Sequence, residues 1–226
     1  MKEKLCLRLK NRGFVAKLVL VTSLVLTVTI LGATYAFRSH NNELDNRLKA
    51  HSVSGAIIEN GAPTGDDKGF SINPGGEVTK SVQFKNTSDA AVFVRVAYAQ
   101  TWMDEDGTLL AHSPSYATLN WNASLASDWE SSFFASDGWY YYKKVLKAGE
   151  TTTAILDSVE FLNTPTLPSE YADGKYQLTF VMEVVQCSDE EEVNEDASLA
   201  TFGKTATVSN MTIDNGTVTG GTVEWN

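Results

Sequence analysis

The sequence predicts an all-β protein: an antiparallel β-sandwich of the jelly-roll or Greek-key type that follows an N-terminal signal helix. Apolar and polar residues alternate with period two in several short segments, as in strands that bury one face and expose the other. Clusters of turn-forming residues separate these segments, and no long amphipathic helix is visible. Many short strands joined by turns are typical of sandwiches and barrels.

Residues 1–36 have the organisation of a secretory signal peptide. A basic segment precedes an uncharged, mainly apolar run at residues 18–31. Thr34 and Ala36 are small and stand where a signal peptidase needs them, so we expect cleavage after Ala36 and a mature chain that begins at Phe37. The alternative is an uncleaved membrane anchor, but the strongly apolar run is short for a bilayer span of about 20 residues.

The charge of the mature chain narrows the set of partners. The whole chain has a formal net charge of −10, and residues 1–36 hold six basic side chains and one acidic one, so residues 37–226 carry −15. Nucleic acid and anionic membrane surfaces repel such a domain, so we expect membrane contact only through the uncleaved signal segment. Cys187 is the only cysteine after residue 36, which excludes an intramolecular disulfide and fits a bacterial exported protein.

The mature chain divides into three parts. Residues 37–50 are polar and are expected to form a mobile N-terminal segment or a short helix. Residues 51–187 are expected to form the β-sandwich domain, with one short helix within residues 124–134. The expected strands are residues 52–59, 77–85, 92–102, 151–161 and 176–185. Lys80 breaks the apolar face of its strand, and Arg95, on the outer face, is expected to form an ion pair.

The composition changes after residue 187. Six acidic residues crowd into residues 189–196, and their like charge predicts a solvated linker, an interpretation favoured over a weak calcium site. Asn215 and Gly216 then carry a β-hairpin turn signal. Residues 188–226 are therefore expected to be an acidic linker and a C-terminal β-hairpin or tail. Whether this part completes the sandwich or hangs free is left open.

The densest aromatic cluster is Trp139, Tyr140, Tyr141 and Tyr142. On a strand, Trp139 and Tyr141 face one side, and Tyr140 and Tyr142 face the other. The favoured interpretation is that one pair fills the core while the other shields the sheet or an edge. The functional interpretation is a flat aromatic surface for sugar rings or a protein partner.

Acidic residues at Asp104 and Asp106 precede Gly107 in a pattern that resembles part of a calcium-binding loop. Trp102 and Ser113 stand where two further ligands are needed, so a plain hairpin turn is favoured over a weak calcium site. No other metal site and no cofactor are predicted. Hydrolase, zinc-protease and thiol-redox motifs are absent, and the histidines are His40, His51 and His112, so we predict no catalytic residues and no enzyme.

Short motifs occur in a fixed order at residues 32–36 (GATYA), 55–59 (GAIIE), 74–78 (PGGEV), 82–87 (VQFKNT), 94–96 (VRV), 137–142 (DGWYYY) and 183–186 (EVVQ). In this order they resemble the exported proteins of Gram-positive bacteria that the alternate, SipW-type signal peptidase processes, the TasA/camelysin-like group. The resemblance covers about residues 14–187, and the part after Ser188 departs from the short members. It implies a jelly-roll-like secreted domain and, for the best-understood members, assembly into extracellular-matrix fibres. The metalloprotease activity described for camelysin does not transfer, because this chain has no recognisable zinc set.

The predicted function is that of a secreted or cell-surface structural protein, an extracellular-matrix (biofilm) component that assembles by β-strand addition. Residues 37–50, with an extension into 52–59, are expected to donate a strand to the next subunit, unless 52–59 pairs within its own domain. Expected partners are the signal peptidase, further copies of the chain and other matrix proteins. The alternative is a monomeric surface binding module, adhesin-like or glycan-binding, that uses the aromatic strand surface.

Overall fold

A computed structural model describes residues 53–63, 70–111, 113, 115–163 and 166–226. It contains 49% strand and 15% helix, so the prediction of an all-β protein is confirmed. The strands are β1 (Gly55–Glu59), β2 (Ala62–Pro63), β3 (Phe70–Ser71), β4 (Glu77–Asn86), β5 (Val92–Met103), β6 (Ala117–Trp121), β7 (Trp129–Glu130), β8 (Tyr140–Tyr142), β9 (Leu156–Phe161), β10 (Lys175–Gln186), β11 (Ala206–Asp214) and β12 (Thr217–Trp225). The helices are α1 (Ser124–Asp128), α2 (Phe134–Asp137), α3 (Ser169–Ala172) and α4 (Glu191–Phe202).

The strands form two five-stranded sheets and a separate hairpin. The first sheet has the order β2-β1-β4-β9-β6, and the second has the order β3-β10-β5-β8-β7. Strands β11 and β12 pair only with each other in the described sheets. Every described strand pairing is antiparallel.

The longest ladder joins β5 and β10. Val92 pairs with Gln186 and Met103 with Lys175, without a register shift between them. The two strands whose alternation is most regular in the sequence are therefore neighbours, although about 80 residues separate them along the chain. Residues 151–161 contain a shorter strand than expected. Strand β9 begins only at Leu156, because the chain before it bonds irregularly to β4 through the backbone N–H groups of Thr152 and Ile155.

Strand β1 pairs with β4 of the same chain along its whole length, from Gly55 to Glu59. The alternative that residues 52–59 pair within their own domain is therefore the correct one for residues 55–59. A strand donated to another subunit would have to come from residues before Gly55.

Both five-stranded sheets contribute side chains to one hydrophobic cluster. The ring centroid of Phe84, on β4, lies 5.9 Å from that of Phe180, on β10, and 5.6 Å from that of Trp129, on β7. The period-two pattern thus buries one face of each sheet, as expected. Other large, fully buried members are Trp102, Tyr176, Phe161, Leu146, Ile155, Leu156, Leu178 and Val82.

Lys80 is buried within the apolar face of β4. Only 4% of the residue is exposed, and its Nζ lies 2.7 Å from the Oε2 of Glu59, at the end of β1. A buried ammonium group is tolerated when a hydrogen-bonded carboxylate compensates its lost hydration. The ion pair therefore allows the strand to keep its register.

The acidic run is not a solvated linker, and this expectation is corrected. From Glu191 onward it forms helix α4, which buries Asn194, Ser198 and Phe202 at a spacing of four residues. These three share one face of the helix, so the acidic side chains between them point to other faces. Glu191 lies in the first helical turn, where the helix dipole favours negative charge.

The C-terminal hairpin has the turn that the sequence predicts. Asn215 and Gly216 both have positive φ angles, 49° and 76°, and the strands on either side pair from Ala206 with Trp225 to Asp214 with Thr217. Positive φ at both central residues belongs to the tight type I′ hairpin turn, which asparagine and glycine adopt most readily. The hairpin also contains an irregularity between Ser209 and Thr212, where Asn210 has a φ of 53°.

Candidate assembly surface

The C-terminal unit, residues 188–226, packs against part of the outer face of the second sheet. The ring centroids of Phe202 and Trp225 lie 6.4 Å and 5.0 Å from that of Tyr141, on β8. The centroid of Phe93, on β5, lies 5.9 Å from that of Trp225. These side chains, together with Val218 of β12, form a second hydrophobic cluster on the opposite face of the sheet from the main one.

Main-chain hydrogen bonds attach the hairpin to the segment that follows β8. The backbone N–H of Val145 donates to the carbonyl of Gly221 at 3.0 Å, and that of Val223 donates to the carbonyl of Lys143 at 2.8 Å. The indole Nε1 of Trp225 donates to the carbonyl of Tyr142 at 2.9 Å. The hairpin is therefore joined to the second sheet by backbone bonds as well as by packing.

Arg95 lies at the boundary between the sheet and helix α4. Its Nε and Nη2 donate to Oε2 of Glu183 at 2.9 and 2.6 Å, which confirms the predicted ion pair. Its Nη1 donates to the carbonyl of Phe202, the last residue of α4, at 2.7 Å. The guanidinium also lies 4.2 Å from the ring centroid of Trp139, within the range of a cation–π contact.

The three tyrosines of the aromatic cluster do not form an accessible surface, which corrects the functional interpretation. Tyr140 and Tyr142 are buried in the main cluster, and Tyr141 is buried under the C-terminal unit. Burial raises the pKa of Tyr140 and that of Tyr142 well above the ordinary value for a phenol. Trp139 is half-buried beneath Arg95. As predicted, Tyr140 and Tyr142 lie on one side of the strand, and Trp139 and Tyr141 lie on the other. Both sides are covered by other parts of the chain.

Asp104 and Asp106 lie in the turn that follows β5. An Oδ of Asp104 accepts a hydrogen bond from the backbone N–H of Thr108 at 2.7 Å, and Gly107 has a φ of 86°. The carboxylate of Asp104 thus stabilises the backbone of a turn, as aspartate often does. Asp106 is exposed on the same turn. These contacts support the hairpin interpretation, and no group of three or more metal-binding side chains occurs in the described part of the chain.

Among the strands that the structure describes, β10 has an outer edge that is paired over only part of its length. Strand β3 pairs only with Lys175 and Tyr176, and no described strand pairs with this edge from Thr179 to Val185. A Cβ atom on Gly55, the first residue of β1, would lie 2.5 Å from the Sδ of Met182, on β10. The start of β1 therefore lies close to the side chain of Met182.

The proposed cleavage residues Thr34, Ala36 and Phe37, the segment 37–50 and His112 all lie outside the described residues. Within the described residues, no helix is both long and apolar enough to cross a membrane. Cys187 is buried, and burial, with a smaller contribution from Asp189, raises its pKa to about 12. A thiol in that state is a poor nucleophile, because the thiolate is the reactive form.

No protein-family model matches the chain, and no curated protein matches it.

The sequence analysis did not predict two features of this surface, the cover formed by α4 and the outer edge of β10. The cover formed by α4 has only one large apolar residue on its buried face, Phe202, so hydropathy gives little signal. The signal that does exist is the spacing of Asn194, Ser198 and Phe202. The open edge of β10 has no local signal, because it depends on which distant strands pair.

Proposed function

We propose that this chain is a non-enzymatic structural protein, exported to the cell surface or extracellular matrix, that assembles with copies of itself by β-strand addition. The open edge of β10 from Thr179 to Val185 is the observation that carries the proposal. Backbone N–H and C=O groups on such an edge favour pairing with an extended segment. We propose that the chain belongs to the TasA/camelysin-like group of proteins that the SipW-type signal peptidase processes. We also propose that its two five-stranded sheets form a jelly-roll sandwich. The main cluster shared by the two five-stranded sheets supports that architecture.

The donor in this proposal is the segment 37–50 of a neighbouring subunit. It cannot extend past Gly55, because β1 is already paired with β4. Gly55, at the start of β1, lies close to the side chain of Met182 on the recipient strand. A segment that leaves one copy there is well placed to reach the corresponding edge of the next.

Deletion of residues 37–50 tests the donor. The expected result is loss of fibres in electron micrographs of the mature chain at high concentration. A matched control replaces the same residues with a Gly/Ser segment of equal length, which keeps the reach but removes the side chains. Fibres that form at the wild-type rate without residues 37–50 would overturn donation by this segment.

Amide hydrogen exchange tests the recipient edge in the same samples. Residues 179–185 that do not bond to β5 are expected to exchange more slowly in the assembled protein than in the monomer. Amides of β6 serve as the control, because β6 is an edge of the first sheet. Slowing confined to β6 would place the added strand on the other sheet.

The alternative is a monomeric glycan-binding or adhesin-like module that binds through the aromatic cluster. This alternative is disfavoured because Tyr140, Tyr141 and Tyr142 are buried and cannot contact a ligand. Size-exclusion chromatography of the mature chain at high concentration separates the two functions. Polymers support the structural role, and a stable monomer favours the alternative.

A further inference from the structure

The sequence contains two Asn-Gly pairs, Asn60–Gly61 and Asn215–Gly216, and each forms the two-residue turn of a β-hairpin. The φ angles are 49° and 85° in the first turn and 49° and 76° in the second. All four residues are exposed. A Cβ atom on either glycine would meet no described atom within 4 Å. The two turns therefore have the same residues, similar backbone conformations and equally uncrowded glycines.

The two turns differ in how the asparagine side chain is held. Asn60 is fastened to β4, because its backbone N–H donates to the carbonyl of Ser81 and its Oδ1 accepts from the N–H of Ser81, both at 2.9 Å. A longer bond of 3.5 Å joins its Nδ2 to the carbonyl of Thr79. The carboxamide of Asn215 has no hydrogen-bond partner within the described part of the chain. It can therefore rotate towards the backbone of Gly216 without breaking a bond.

We propose that Asn215 is a site of spontaneous deamidation and that Asn60 is protected from the same reaction. The backbone nitrogen of Gly216 attacks the Cγ atom of Asn215, and a C–N bond forms while the bond from Cγ to the side-chain nitrogen breaks. That nitrogen takes the proton of the backbone N–H and leaves as ammonia. Glycine favours this ring closure because it has no Cβ to obstruct it. Water then opens the cyclic imide at one of its two carbonyls and gives aspartate or isoaspartate.

The isoaspartate product changes the hairpin near its turn. The main chain of isoaspartate passes through the β-carbon, so it adds one backbone atom to a loop that fits only two residues. The pair next to the loop, Asp214 with Thr217, is expected to open. The far end of the hairpin is expected to stay closed, because Ala206 and Trp225 are buried in the second hydrophobic cluster. The reaction therefore loosens the tip of the hairpin and leaves its attachment intact.

Peptide mapping by mass spectrometry tests the site. The full mature chain is aged at mildly alkaline pH, and the conversion of amide to acid is followed at both asparagines. Asn215 is expected to react at least about fivefold faster than Asn60, the factor by which one typical hydrogen bond slows a reaction that must break it. The same chain in denaturant is the control, where the two rates are expected to be similar. Equal rates in the folded chain, or an Asn215 that reacts only in denaturant, would overturn the proposal.

Amide hydrogen exchange tests the consequence, with Asn215→Gly as the matched variant. Glycine keeps the positive φ that the turn needs but has no carboxamide, so the variant cannot react at this position. Ageing is expected to speed exchange of the Thr217 amide in the wild-type chain and to leave the variant unchanged. The amide of Ala206 is expected to stay the same in both. Equal acceleration at Thr217 in the aged variant would show that the hairpin loosens without this reaction.

Discussion

At the scale of single residues, Phe180 shows how one side chain connects the two sheets. It is 5% exposed, and its ring centroid lies 5.9 Å from those of both Phe84 and Tyr98. Replacement by alanine leaves a cavity between the sheets, so Phe180→Ala is expected to lower the free energy of unfolding by about 3–5 kcal/mol. Thr179→Ala, on the exposed face of the same strand, is expected to change it by less than about 0.5 kcal/mol. Equal effects in denaturant melts would mean that the register of β10 is wrong.

Cys187 gives a second prediction at this scale. Its pKa rises from 9.0 to about 12 in the folded chain, so the thiol stays protonated where an unfolded thiol ionises. This group's contribution to stability is complete below pH 9 and is lost as the pH rises from 9 to 12. A thiol-reactive dye at pH 8.5 is therefore expected to label the chain slowly under native conditions and rapidly in denaturant. Equally rapid labelling in both conditions would show that the thiol is accessible.

The sequence predicts some of these residue environments and not others. The ion pair of Arg95 follows from its place on the polar side of an alternating strand. The pairing of Lys80 with Glu59 does not, because the register between β1 and β4 determines which carboxylate reaches the ammonium group. The aromatic run illustrates the same limit. Alternation separates its rings into two sets, but nothing local indicates that the C-terminal unit covers the outer one.

At the scale of elements, period-two alternation predicts β4, β5 and β10 to within about two residues at each end. It succeeds because each of these strands buries one face in the main cluster, while its other face is mostly polar or exposed. Phe93 of β5 is an exception, since it lies in the second hydrophobic cluster. It fails for α4, where Asn194 and Ser198 are buried for their hydrogen bonds. The side chain of Asn194 accepts from the N–H of Ser188 and donates to its carbonyl, at 2.6 and 2.9 Å.

The attachment of the hairpin can be tested at Trp225. This residue is 6% exposed, packs against Tyr141 and donates its indole N–H to the backbone. Trp225→Ala is expected to cost about 3–5 kcal/mol of unfolding free energy, as other buried Trp-to-Ala changes do. The control is Ile213→Ala near the tip of the same hairpin, where the side chain is 51% exposed. Comparable losses would show that Trp225 does not anchor the hairpin.

At the scale of the whole molecule, the candidate assembly surface is what the sequence predicts least. Sheet edges are decided by pairings between distant segments, such as β3 with β10, and by the short length of β3. The sequence indicates that edges must exist in a domain of many short strands. Only the arrangement of the strands shows which edge no other described strand pairs with.

The C-terminal unit is expected to unfold together with the two sheets. Residues 50–226 form one compact unit, and the backbone bonds of Val145 and Val223 run between the hairpin and the segment that follows β8. Elements that share a cluster and backbone bonds open cooperatively, so amides of β12 and β10 are expected to exchange with the same free energy of opening. Truncation after Gln186 uncovers Phe93 and Tyr141, both 0% exposed in the full chain, and is expected to cause loss of stability and aggregation. A truncated chain that stays monomeric and melts like the full one would show instead that residues 188–226 are an independent appendage.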